Sequence, residues 1–120
     1  MNLSGKLPQP KPEKVAPDPA HLARVRELPC VICCEWMMPQ LTPTQAHHCI
    51  HGRHGTRKVP DTMTIPLCEG HHQGLWDTSK IALHREPNAW RAAYGADTDW
   101  LSWVEGALAR QDAATIGEMQ

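Results

Sequence analysis

The chain reads as an α+β fold built on a small core that a bound metal helps to hold, and three short runs predict this. Cys30-Val31-Ile32-Cys33 and Leu67-Cys68-Glu69-Gly70-His71-His72 each carry paired soft ligands, and Ala46-His47-His48 lies between them. A closed structural zinc site takes four thiolate or imidazole ligands, the members of each half two to four residues apart on a tight turn. Cys30, Cys33, Cys68 and His71 supply such a set. Cys34 offers an alternative to Cys33 through a three-residue spacing, and Cys49 stands outside the pattern. His47, His48 and His72 are then surplus to the zinc, and this surplus is the functional signal.

Composition explains why a metal is expected. The chain has 120 residues, no Phe, one Tyr, and 11 prolines that crowd the first 43 positions, where eight of them lie, and thin out afterwards. Residues 1–19 form a Pro-rich basic stretch with Lys6, Lys11 and Lys14, a composition that buries little and favours solvated, disordered chain. A zinc-containing domain over residues 20–95 is small enough that a metal commonly supplements a thin core. Residues 96–120 are expected to form a C-terminal helix that packs on the core or projects from it. No secretory leader is legible and no run approaches the roughly 18 apolar residues of a spanning helix, so a cytoplasmic location and reduced thiols are expected.

The elements follow in order. Ala20 to Leu28 predicts a helix, with Asp18 as N-cap, Pro19 in the first turn, Leu22, Val25 and Leu28 on one face, and Pro29 ending it before the first Cys pair. Gln45 to Ile50 is compatible with a strand, and Thr62 to Leu67 predicts a second, with Met63, Ile65 and Leu67 alternating and Pro66 leaving its edge imperfectly paired. A helix or turn must start after Cys68. Asn88 to Tyr94 reads as a helix closed by Gly95, and Thr98 to Gln111 as another with Leu101, Val104 and Leu108 on one face. Trp90, Trp100 and Trp103 are expected to anchor those helices in the core.

Net charge is −1, yet the acidic residues after position 95 account for the deficit and leave the rest of the chain at +3. The most basic stretch is His51-Gly52-Arg53-His54-Gly55-Thr56-Arg57-Lys58, where flexible glycines and cations suit approach to a phosphate backbone. Arg53, Arg57 and Lys58 are the candidate DNA contacts, with a solvated loop as the other reading. His51 and His54 share that choice, and His21 is expected on the helix surface.

The ordered combination of the Cys-x-x-Cys pair, Ala46-His47-His48, Gly52, Lys58, Asp61 and Pro66-Leu67-Cys68-Glu69-Gly70-His71-His72 resembles the His-Asn-His (HNH) nucleases of the ββα-metal type. It is most similar to their small phage branch, which includes the recombination enhancement function nuclease. The resemblance covers Leu28 to Gly95. It implies a ββα-metal core in which Cys30, Cys33, Cys68 and His71 hold the structural zinc, and His47 and His72 hold a separate catalytic Mg²⁺ or Mn²⁺. His48 would be the general base, a role suited to an imidazole whose unperturbed pKa of about 6.5 lies close to neutrality. His47 and His48 are adjacent on a predicted strand, so their side chains point to opposite faces unless the strand is bent.

Two departures from the family's pattern matter. Trp76 stands four residues after His72, where a third histidine often sits, and Ile81-Ala82-Leu83-His84 fits a longer-spaced variant, so His84 is the expected third ligand, with solvent as the alternative. No Asn occupies positions 61–64; Asp61 is the nearest polar match and is assigned an orienting role toward the base, or else a turn cap after Pro60. The function implied is a metal-dependent, phage-encoded DNA endonuclease or nickase, with DNA and a recombinase filament or other DNA-processing protein as partners and no membrane. The competing reading is a catalytically inactive zinc-stabilised module that binds DNA or protein. For the histidine pair taken by itself, the alternative is that both residues are ligands of a second structural site.

Overall fold

Asp18 opens the first helix as its charge and reach dictate: the side chain accepts from the His21 amide at 3.1 Å and Pro19 fills the first turn. In this computed structural model, which describes residues 16–51 and 59–118, α1 runs Pro19–Arg26, two residues short of the expected end. Val25 and Leu28 are buried beneath it. His21 is only half surface, its Nε2 shielded without a partner among the described residues, because α5 packs against α1 and covers that side. The basic stretch 1–15 lies outside the described residues, as do Arg53, His54, Arg57 and Lys58.

The first Cys pair sits at the start of a short helix, α2 (Val31–Glu35), for which Cys30 is the N-cap residue. Strands β1 (Thr44–His48) and β2 (Thr64–Cys68) form a two-stranded antiparallel sheet, with His47 opposite Ile65 and His48 opposite Thr64. Beyond β1 the pairing continues loosely, the Cys49 amide donating to Met63 O at 3.0 Å. Every residue of β2 is buried, so the expected alternation is lost: helices α1, α2 and α5 all lie against this strand. Pro66 is tolerated in register with Ala46 because each strand of a two-stranded sheet keeps one free edge.

Helix α3 (Glu69–His72) follows β2 directly, then α4 (Pro87–Tyr94), closed by Gly95 at φ 86°. The expected helix from Thr98 begins differently. Asp97–Trp100 is a 3₁₀ turn, and α5 proper runs Leu101–Glu118. The tight turn leaves Asp97 fully buried under the sheet, which a regular helix start at Thr98 does not anticipate. Val104, Ala107 and Leu108 face the core, and Arg24 of α1 reaches the Leu108 carbonyl and Asp112 on α5. Trp90 is fully buried, whereas Trp100 and Trp103 pack against the core from its rim. No helix among the described residues is long and apolar enough to cross a membrane.

Candidate metal centres

Cys30 and Cys33 are one helical turn apart at the start of α2, and Cys68 and His71 repeat that spacing across the junction of β2 and α3. Packing α2 on β2 brings the two halves together, all four side chains buried. Cys33 Sγ lies 3.8 Å from Cys68 Sγ, and His71 Nδ1 lies 3.5, 3.5 and 3.4 Å from the sulfurs of Cys30, Cys33 and Cys68. A tetrahedral zinc with ordinary bond lengths has S–S edges of about 3.8 Å and S–N edges of about 3.5 Å. The four donors therefore form a cluster of the size and shape that fits a metal such as zinc. Cys34 is exposed and points out of the cluster, which removes it as an alternative to Cys33.

The electrostatics of the cluster suit a divalent cation. The Cys30 thiol, hydrogen-bonded to Cys68 and buried, is pushed well up, and burial carries Cys33 up to about 11. Cys68 alone is drawn down to about 3, by the hydrogen bond from Cys30 and then by His71. Three thiolates this close repel one another, so only one ionises until a divalent ion compensates the charge.

A second cluster joins His47 on β1, His72 on α3 and His84 on the segment before α4. The main chain builds it: Leu83 N donates to His71 O at 2.9 Å and His84 N to His72 O at 3.0 Å, laying the two segments side by side. The Nε2 atoms of His72 and His84 are then 3.2 Å apart, and one ring nitrogen from each of the three residues lies within 4.8 Å of the others. Burial decreases from His47 through His72 to His84, so the cluster opens to solvent on one side. Trp76 turns its side chain outward, 76% exposed, and takes no part.

Two of the three rings, those of His72 and His84, are pushed toward the neutral form that binds metals. Burial lowers His72 to about 3, helped by His47 and His84, and burial followed by His47 lowers His84. The His72 Nδ1–H donates to Gln45 Oε1 at 2.7 Å, leaving Nε2 with its lone pair toward His84. His47 Nε2–H donates to Asp97 Oδ2 at 2.9 Å in a buried pair. Burial by itself would raise the Asp97 carboxyl, but the hydrogen bonds from His47 and the Ile50 amide carry it below the ordinary range. In the sequence Asp97 enters only the charge count of residues 96–120; fifty positions from His47, it carries no local signal of its role.

His51 also differs from expectation. Its side chain is tucked against Asp97 and Trp90 rather than solvated with the basic loop. The Asp97 amide donates to His51 Nδ1 at 2.7 Å, so that nitrogen carries a lone pair, and the 3.2 Å approach of Asp97 Oδ1 to it is proximity rather than an ion pair.

His48 projects from the other side of β1, as an unbulged strand requires. Its Nε2 meets Asp61 Oδ1 at 2.8 Å, with the histidine side chain half exposed and the carboxylate mostly covered. Asp61 is itself fixed, its Oδ2 accepting from the Asp18 amide at 2.8 Å and its carbonyl from the Thr64 hydroxyl at 2.9 Å. The structure thus brings Cys30, Cys33, Cys68 and His71 together, His47, His72 and His84 together, and His48 beside Asp61, while Asp97 and Gln45 behind them had no place in the sequence reading of the site.

The family described as a protein of unknown function (DUF968) matches residues 6–110. The chain belongs to the DUF968 family. Neither a curated protein nor a solved structure matches it. The DUF968 match spans both ligand clusters, the His48–Asp61 pair and Asp97.

Proposed function

We propose that this DUF968 protein is a zinc-stabilised, metal-dependent DNA endonuclease or nickase of the HNH type. The observation that carries the reading is the divergence of two adjacent residues at the end of β1: His47 joins a three-imidazole cluster while His48 pairs with a carboxylate. The order β1, β2, α3, with a Cys₃His cluster knitting α2 to α3, supports the resemblance to a ββα-metal core. Zinc in that cluster would serve the fold.

A divalent ion held by His47, His72 and His84 would supply neutralisation of the charge that grows on a scissile phosphate and its departing 3′ oxygen. Three imidazoles without a carboxylate suit Mn²⁺ or a later transition ion better than Mg²⁺. The protein's own part falls to His48. With Nε2 engaged by Asp61, its Nδ1 accepts a proton from water as the water oxygen attacks phosphorus in line, and Asp61 stabilises the imidazolium that results. The P–O3′ bond breaks and the departing 3′ oxygen takes a proton from solvent water, leaving a 5′-phosphate and a 3′-hydroxyl. The group contacted in this scheme is the phosphodiester itself. Contacts of this kind address backbone rather than base edges and confer little sequence preference.

The test is cleavage of circular single-stranded and supercoiled duplex DNA with Mn²⁺ or Mg²⁺, with and without a recombinase filament, comparing wild type with His48→Ala. Cutting by wild type and its loss in the variant supports the nuclease and its base together. No cutting by folded, zinc-loaded protein under any condition overturns the reading in favour of a binding module.

A further inference from the structure

Asp97 is fully buried, and among the described residues no lysine or arginine forms an ion pair with it. Its carboxylate instead takes three N–H groups: His47 Nε2 and the Ile50 amide on Oδ2, at 2.9 and 2.7 Å, and the His51 amide on Oδ1 at 3.2 Å. A carboxylate so far from water favours a compensating positive charge, and among the described residues the His47 ring, in contact with Oδ2, is the route to one. The 3₁₀ turn that places Asp97 is secured in return by the Asp97 amide on His51 Nδ1.

We infer that Asp97 is a positioning residue for the three-histidine site: it keeps the His47 proton on Nε2 and presents Nδ1 to the ion. Gln45 acts on His72 in the opposite sense, holding the proton on Nδ1 and presenting Nε2. The site is therefore of mixed linkage, Nδ1 from His47 and Nε2 from His72 and His84. An imidazole whose second nitrogen donates to a carboxylate is a better electron donor, so His47 is the strongest of the three ligands despite lying deepest. This inference rests on the ion site proposed above, but not on DNA cleavage.

The experiment uses the full chain with zinc bound. Long-range ¹H–¹⁵N spectra of the wild type before any second ion is added should show His47 as the Nε2–H tautomer and His72 as the Nδ1–H tautomer. Mn²⁺ titration followed by electron paramagnetic resonance should then give a second-site affinity that falls about 10–100-fold in Asp97→Asn, with zinc content unchanged. Gln45→Leu, on the half-buried strand β1, should weaken Mn²⁺ in the same direction and serves if Asp97→Asn does not fold. An Nδ1–H tautomer at His47 overturns the inference. So does equal Mn²⁺ affinity in wild type and both variants, while the ion site itself survives. Absence of any second-site Mn²⁺ in wild type overturns both the inference and the ion site.

Discussion

The Nε2 atoms of His72 and His84 stand 3.2 Å apart although twelve positions separate the residues. His72 Nε2 carries a lone pair because Nδ1–H is committed to Gln45, so a proton or a cation must lie between the two rings. The pairing of main chain 71–72 with 83–84 enforces this contact whatever fills it. His84→Ala should accordingly weaken second-ion binding while leaving the Cys₃His site loaded, as metal analysis after gel filtration would reveal.

The Cys₃His cluster predicts a sharp contrast between neighbouring thiols. Cys33→Ser should lose bound zinc and the cooperative unfolding transition, since binding energy at such sites is folding energy. Cys34→Ser should keep both, with a stability change within about 0.5 kcal/mol, because Cys34 is exposed. Thermal denaturation with parallel zinc analysis distinguishes the two, and a strong chelator should reproduce the Cys33→Ser result in wild type.

The His48–Asp61 pair predicts a graded loss of activity. If the protein is the proposed nuclease, His48→Ala removes its proposed base and should lower the cleavage rate by about 10²–10⁴-fold. Asp61→Asn keeps the ring but withdraws the charge that stabilises it, so the rate should fall less than in His48→Ala. Single-turnover rates at saturating Mn²⁺ test the order; an Asp61→Asn rate equal to wild type would leave Asp61 only its turn-capping contacts with Asp18 and Thr64.

His72 predicts acid sensitivity when the second site holds no ion. Its folded value of about 3 lies below the ordinary imidazole value of 6.5. Between these limits the unfolded chain binds a proton that the folded chain does not, so stability is fully present above about pH 6.5 and is lost progressively as pH falls toward 3. Urea unfolding of zinc-loaded protein at pH 7, 5.5 and 4 should show this decline, and His72→Gln should flatten it.

Glu69 predicts a stability effect unrelated to either cluster. Buried on α3, its carboxylate accepts from the amides of Leu75, Trp76 and Asp77 at 2.9–3.2 Å. Glu69→Ala should therefore strip the turn after α3 of its partners and destabilise the fold by about 1–3 kcal/mol. Hydrogen exchange should accelerate at those three amides first.

The ligand pairs were legible in the chain because their geometry is local. A three-residue spacing across one turn places Cys30 beside Cys33, and Cys68 beside His71, under almost any surrounding fold. The same holds for the Asp18 cap, for Gly95 at its positive φ, and for the opposed directions of His47 and His48 on an unbulged strand. Asp61 and His84 were reached only through the resemblance to HNH nucleases.

Contacts across long separations had no such signature. Asp97 meets His47 from fifty positions away, inside a 3₁₀ turn that the apolar spacing of Leu101, Val104 and Leu108 could not distinguish from a helix start. His51 belongs by composition to the basic loop, yet the turn at Asp97 pulls it against Trp90. Burial of both faces of β2 likewise depends on where α1, α2 and α5 dock. Periodicity and spacing encode neighbours along one element; which carboxylate or amide stands behind a ligand is settled when separate elements pack, because only then is a buried polar group forced to find its partner.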